Sequence, residues 1–169
     1  MGKRPRYVGE MVSGQAGKAF DWHSHDFGQL ISAARGSMYV GTRSRALLLS
    51  PAMAIWIPPH AEHWMRFEAS NTMLYVDVSQ EEARELGENT RIVEMSPLLN
   101  ALMTATLPET PSSQSDEHVA ALHLLLRFEF LAAKDMPLSI SMPRDRRILD
   151  LAQTALIDPG SINSVETWL

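Results

Sequence analysis

Residues 28–58 read GQLISAARGSMYVGTRSRALLLSPAMAIWIP. Short apolar stretches alternate with turn chemistry: Arg35-Gly36-Ser37, then Gly41-Thr42-Arg43-Ser44, then Ser50-Pro51. No stretch between these turns is long enough for an amphipathic helix, and the β-branched and aromatic residues in them suit strands. We read strands over Gln29 to Ala34, Ser37 to Val40, Ala46 to Leu49 and Ala54 to Pro58. The same texture extends outward on both sides, over Tyr7 to Ser13 and Lys18 to His25 upstream, and over His63 to Glu68 and Thr72 to Val78 downstream. Seven of the nine glycines lie at or before Gly41, so the tight turns belong to this half. Eight closely spaced strands, with a Pro58-Pro59 pair that a central strand does not tolerate, predict an antiparallel sandwich or barrel over residues 1–78.

After Val78 the hydrophobic period changes. Ser79-Gln80-Glu81-Glu82 is a capping box and Gly87 a stop, which gives a short helix. Ser96-Pro97 places serine at an N-cap and proline at the first helical position, and apolar spacing then runs to Pro108. The polar stretch 109–115 reads as a loop, and Ser115-Asp116 opens a long helix to about Lys134. Its polar stripe, Asp116, His123, Arg127 and Lys134, spans only about 40° at 100° per residue, so most of its circumference is apolar. Such a helix is either buried within its own domain or covers both the domain and a second copy of the chain. We therefore assign 79–135 as a helical region, 136–143 as a proline-flanked linker, and 144–169 as a further helical module, with one helix over Arg144 to Ile157 and a second from Val165 that stops within its first turns. The two parts differ in charge. Residues 1–78 carry eight Lys/Arg against six Asp/Glu, and 79–169 carry seven against fourteen.

Composition limits the function. The 169 residues are 45% hydrophobic and 21% charged with a net charge of −5, as in an ordinary globular domain. No apolar run approaches the roughly 18 residues of a membrane span. The absence of cysteine excludes thiolate nucleophiles, zinc fingers and iron-sulfur sites, and any metal must use nitrogen or oxygen donors. The basic start, Met1 to Arg6, leads into no apolar segment, and we expect a cytoplasmic protein without a membrane partner.

Four of the six histidines lie between positions 23 and 63. On a strand, His23 and His25 share a face and converge on one point. Gln29 lies just beyond Gly28, and His63 follows the Pro58-Pro59 turn. Three neutral imidazoles and an amide oxygen suit a divalent first-row metal; the alternative is that these are ordinary polar strand residues. Trp22, Trp56 and Trp64 either line an effector pocket or pack the sheets. Arg43 and Arg45 read as solvated, and His118 and His123, far away on the long helix, receive no site role.

His23-x-His25-x3-Gln29-x6-Gly36 resembles the first cupin motif, and Pro58-x-His60-x2-His63 resembles the second. The resemblance implies a jelly-roll barrel and a zinc, nickel, iron or manganese ion on His23, His25, Gln29 and His63. Two positions depart from the pattern. Gln29 stands where metal-binding cupins usually carry glutamate, and His60 replaces the usual turn glycine, which makes a left-handed backbone there less expected. The stretch Gly28 to Met38 followed by Ala54-Ile-Trp-Ile-Pro-Pro59 is similar to the sensor domain of AraC-type transcriptional regulators. Arg144 to Leu169 is similar to the opening of that family's helix-turn-helix domain. The resemblance implies a non-catalytic sensor of a small molecule or metal, dimeric through the long helix, that reaches DNA only through a domain not contained in this chain. The rival reading is a small metal-dependent cupin enzyme, a dioxygenase or an isomerase.

Overall fold

The computed structural model describes residues 7–108, 115–137 and 140–141, and beyond these only 145, 148, 151, 152, 154 and 155. Eight strands come first: β1 (Tyr7–Gly14), β2 (Ala19–His23), β3 (Gly28–Arg35), β4 (Met38–Thr42), β5 (Arg45–Leu49), β6 (Met53–Ile57), β7 (His63–Phe67) and β8 (Asn71–Val78). Helix α1 (Gln80–Leu86), strand β9 (Arg91–Glu94), helices α2 (Pro97–Ala105) and α3 (Asp116–Ala132), and a two-residue strand β10 (Ile140–Ser141) follow. The strands form two five-stranded antiparallel sheets, β1-β8-β3-β6-β9 and β10-β5-β4-β7-β2.

The first sheet is buried on both faces. One face turns Ile31, Ile55 and Met73 toward Val40, Leu49 and Phe67 of the second sheet, filling the barrel. The other turns Leu30, Trp56, Leu74 and Val76 toward Leu99, Met103, Leu126 and Phe130 of the helices. Strands covered on both sides have no polar face to alternate with, which is why β6 reads Met-Ala-Ile-Trp-Ile and is buried throughout. Full burial contributes roughly 1.5–3 kcal/mol for a side chain such as Phe130, so these helices are integral to the barrel's stability. Gly28 is required by packing, because a Cβ there would lie 2.1 Å from the Trp56 ring. Gly36 is required by the β3–β4 turn, where φ is +73°.

The three helix starts form as their sequences predict. The Ser79, Ser96 and Ser115 hydroxyls accept from the backbone N–H groups of Glu82, Leu99 and His118. Two boundaries differ from the sequence reading. The barrel does not end at Val78, because β9 pairs with β6 at the edge of the first sheet. Nor is 136–143 a free linker throughout. The Glu94 N–H donates to the Lys134 carbonyl and the Met136 N–H to the Ile92 carbonyl, so the chain leaving α3 runs antiparallel beside β9. It then pairs with β5 in the other sheet through Ile140 and Ser141. Arg91 secures this passage: its guanidinium donates to the Phe130, Leu131 and Ala133 carbonyls at the end of α3 and pairs with the Asp135 carboxylate. In the expected module from 144 onward, Ile148, Leu151, Ala152, Thr154 and Ala155 are helical, and 156–169 lie outside the described residues.

Candidate metal centre

The second sheet supplies two of the histidines directly. His63 opens β7 between β2 and β4, opposite His23 on one side and Thr42 on the other. His25 is placed differently from the sequence reading. It lies past the end of β2, in the bend before β3, so strand alternation is not what brings it to His23. Its ring stacks on Phe27 with centroids 4.5 Å apart, and its carbonyl accepts from the His60 N–H at 2.7 Å. His60 has φ of 64°, so the left-handed turn persists with histidine in the glycine position. This costs a non-glycine residue roughly 1–2 kcal/mol, and the bond to His25 is what the turn secures.

The three rings form one cluster. Centroids are 4.2 Å apart for His23 and His63, 4.9 Å for His23 and His25, and 5.5 Å for His25 and His63. One ring nitrogen from each lies within 4.8 Å of the others, a set that can hold a metal ion. Donors on one ion at about 2.1 Å stand no more than about 4.2 Å apart, so small side-chain rotations close the set. The tautomers are fixed from outside. His63 Nδ1 donates to the Ala61 carbonyl at 2.9 Å and His23 Nδ1 to the Asp21 carbonyl, leaving each Nε2 lone pair available. His63 is fully buried, and its Nε2 has no hydrogen-bond partner. Burial lowers its pKa from 6.5 to about 4 against the opposing Ala61 hydrogen bond, and repulsion from His23 and His25 adds to the lowering. The ring is therefore neutral at physiological pH, as a ligand must be.

Gln29 approaches from the first sheet. Its Nε2 donates to Asp77 Oδ1 at 2.9 Å, and its buried Oε1 has no hydrogen-bond partner. Together with His23 and His25 it lines a cavity of about 160 Å3 with apolar walls from Val12, Phe20, Ile31, Met65 and Met73. Tyr75 completes the lining. Burial, followed by its hydrogen bond to the Glu10 carboxylate and by the charges of Glu10 and Asp77, raises its hydroxyl pKa well above the usual value. Sequence reasoning missed Tyr75 and Asp77, although their alternation along Met73-Leu-Tyr-Val-Asp77 places both on the barrel-facing side. Trp22, Trp56 and Trp64 do not line this cavity. Trp56 is core and donates to the Gly87 carbonyl, Trp64 lies buried over Gly41, and Trp22 stacks under Arg43. His123 packs against Tyr7, away from the cluster.

A family model described as the AraC-like ligand binding domain matches residues 12–138. No curated protein sequence matches the chain. Among solved structures, unsaturated fatty acid-bound ToxT from Vibrio cholerae is 8% identical, with a TM-score of 0.50 over 77% of this chain and 54% of its own. A cupin superfamily protein from Desulfitobacterium hafniense is 15% identical over 47% of this chain and 72% of its own, with a TM-score of 0.43. An RmlC-like cupin from Shewanella frigidimarina is 15% identical over 43% of this chain and 66% of its own, with a TM-score of 0.41.

Proposed function

Since the chain belongs to the AraC-like ligand binding domain family, we propose that it is the sensor of a transcriptional regulator and that it senses through a divalent transition metal held by His23, His25, His63 and Gln29. The observation that carries this reading is the buried, neutral and unpartnered Nε2 of His63 beside two further imidazoles. Leaving a buried polar atom unpaired costs about 1–3 kcal/mol, a cost that metal binding removes. Zinc, nickel, iron and manganese all suit imidazole and carbonyl donors. When bound, the metal supplies positive charge to whatever enters the cavity. The chain's own residues do the rest: the Ala61 and Asp21 carbonyls orient two rings, and Val12, Phe20, Ile31, Met65 and Met73 give the cavity apolar walls. At about 160 Å3 the cavity is below the ~300–1,000 Å3 of sites for drug-sized ligands. The effector is therefore a small molecule of few atoms, or the metal itself.

In this reading the protein is not an enzyme. It acts in the cytoplasm, dimerises through α3, and contacts DNA only through a helix-turn-helix domain whose opening the stretch 144–169 resembles. No helix among the described residues is long and apolar enough to cross a membrane. A metal-dependent cupin dioxygenase or isomerase is the second reading, favoured by the cavity beside the triad. The exposed apolar face of α3, with Phe128 at 55% exposure, favours the sensor, because a monomeric barrel has no use for it. Elemental analysis of protein purified without a histidine tag tests the metal. We expect near-stoichiometric content in the wild type and its loss in His25→Ala; equal content in both overturns the assignment.

A further inference from the structure

Gln29 and Asp77 are register partners across the β3–β8 ladder, and their side chains add a hydrogen bond that the backbone ladder does not require. A carboxylate oxygen only accepts hydrogen bonds, so the Gln29 amide must turn its NH2 toward Asp77, as the 2.9 Å contact records. Its carbonyl is thereby directed away from Asp77 and is left buried with no partner, in a side chain that lines the cavity with His23 and His25. Rotating the amide by half a turn would give the site two N–H donors, which no cation can use. We propose that Asp77 is a positioning residue: it locks the Gln29 amide with Oε1 presented to the histidine cluster, and so makes a glutamine serve as a neutral oxygen ligand. This rests on the metal reading above and adds a residue to it.

The competing role for Asp77 is a through-space attraction between its charge and the cation, independent of Gln29. A double-mutant cycle separates the two, because a residue acting only through Gln29 has no effect once Gln29 is gone. Co(II) is titrated into tag-free wild type, Gln29→Leu, Asp77→Leu and the double variant, each verified as folded by circular dichroism, and the visible d–d spectrum and apparent Kd are read. We expect Asp77→Leu to weaken binding by about ten-fold, as outer-shell losses do, and Gln29→Leu, which removes the ligand itself, to weaken it at least as much. Both should alter the spectrum in the same way, and the double variant should bind no more weakly than Gln29→Leu. Gln29→Glu combined with Asp77→Asn, which exchanges donor and acceptor, should restore binding. Wild-type affinity in Asp77→Leu, or a further loss in the double variant, overturns the proposal.

A metal-free readout keeps the two ideas apart. In the apo protein, the two Gln29 side-chain N–H protons should be resolved in 15N-correlated spectra and exchange slowly with solvent, and Asp77→Leu should abolish both properties. Their presence in a wild type that binds no Co(II) refutes the metal reading while the amide lock stands. Unchanged signals in Asp77→Leu refute the lock.

Discussion

His63 is an imidazole held in its neutral form by burial, and that makes the apo protein's stability depend on acid in a defined window. The unfolded chain takes up a proton near pH 6.5, whereas the folded chain resists until about pH 4. The contribution is therefore present above pH 6.5, falls as pH drops between those values, and is level below about 4. A depression of this size corresponds to ~3 kcal/mol. Urea unfolding in the presence of a chelator at pH 7.5, 5.5 and 4.0 should show the stability gap between wild type and His63→Gln shrinking by an amount of that order. A gap that does not change with pH sinks the assignment. The grouping of His23 with His63 and with Gln29 was legible in the sequence, because their spacing resembles a known motif. The means by which His25 arrives was not, because a bend held by a hydrogen bond to the His60 N–H leaves no periodic trace.

Among the elements, α3 is apolar around most of its circumference, as its sequence predicts, and the structure divides that surface in two. Leu122, Leu126 and Phe130 are buried against the barrel, while Leu124, Leu125, Phe128 and Leu131 face outward. The outward set recurs at three- and four-residue intervals, the spacing of a seam against another helix. For the proposed dimer, Phe128→Glu should leave the melting transition nearly in place and convert dimer to monomer by light scattering at tens of micromolar. Leu126→Glu, at 1% exposure, should instead unfold the protein. A wild type already monomeric at that concentration overturns the dimer. The strands and capped helices were readable because each is written locally, in glycine turns and in Ser79, Ser96 and Ser115 at helix starts. Strand β9 was not, because Arg91-Ile-Val-Glu94 is only four residues long and lies among helices; its pairing with β6 is decided by the tertiary fold.

At the level of the whole molecule, the proposed division of labour predicts that this chain does not bind DNA specifically. Specific readout needs a recognition helix in the major groove. With seven basic against fourteen acidic residues after position 78, even the salt-dependent attraction to phosphates is weak. Gel shifts on promoter DNA should retard a chain extended by a helix-turn-helix domain and leave this one free; specific retardation of the shorter chain refutes the sensor reading. The chain's path from α3 to Ser141 also has a mechanical meaning. Among the described residues, the two-residue β10 ladder on β5 is the last sheet pairing along the chain after α3. Behind it stands the Arg91 knot, tied to three carbonyls and a carboxylate. Two ladder positions stand in series with the bonds of Arg91, as a fuse stands before an anchor, so under tension on the chain β10 is expected to peel before α3 is loaded.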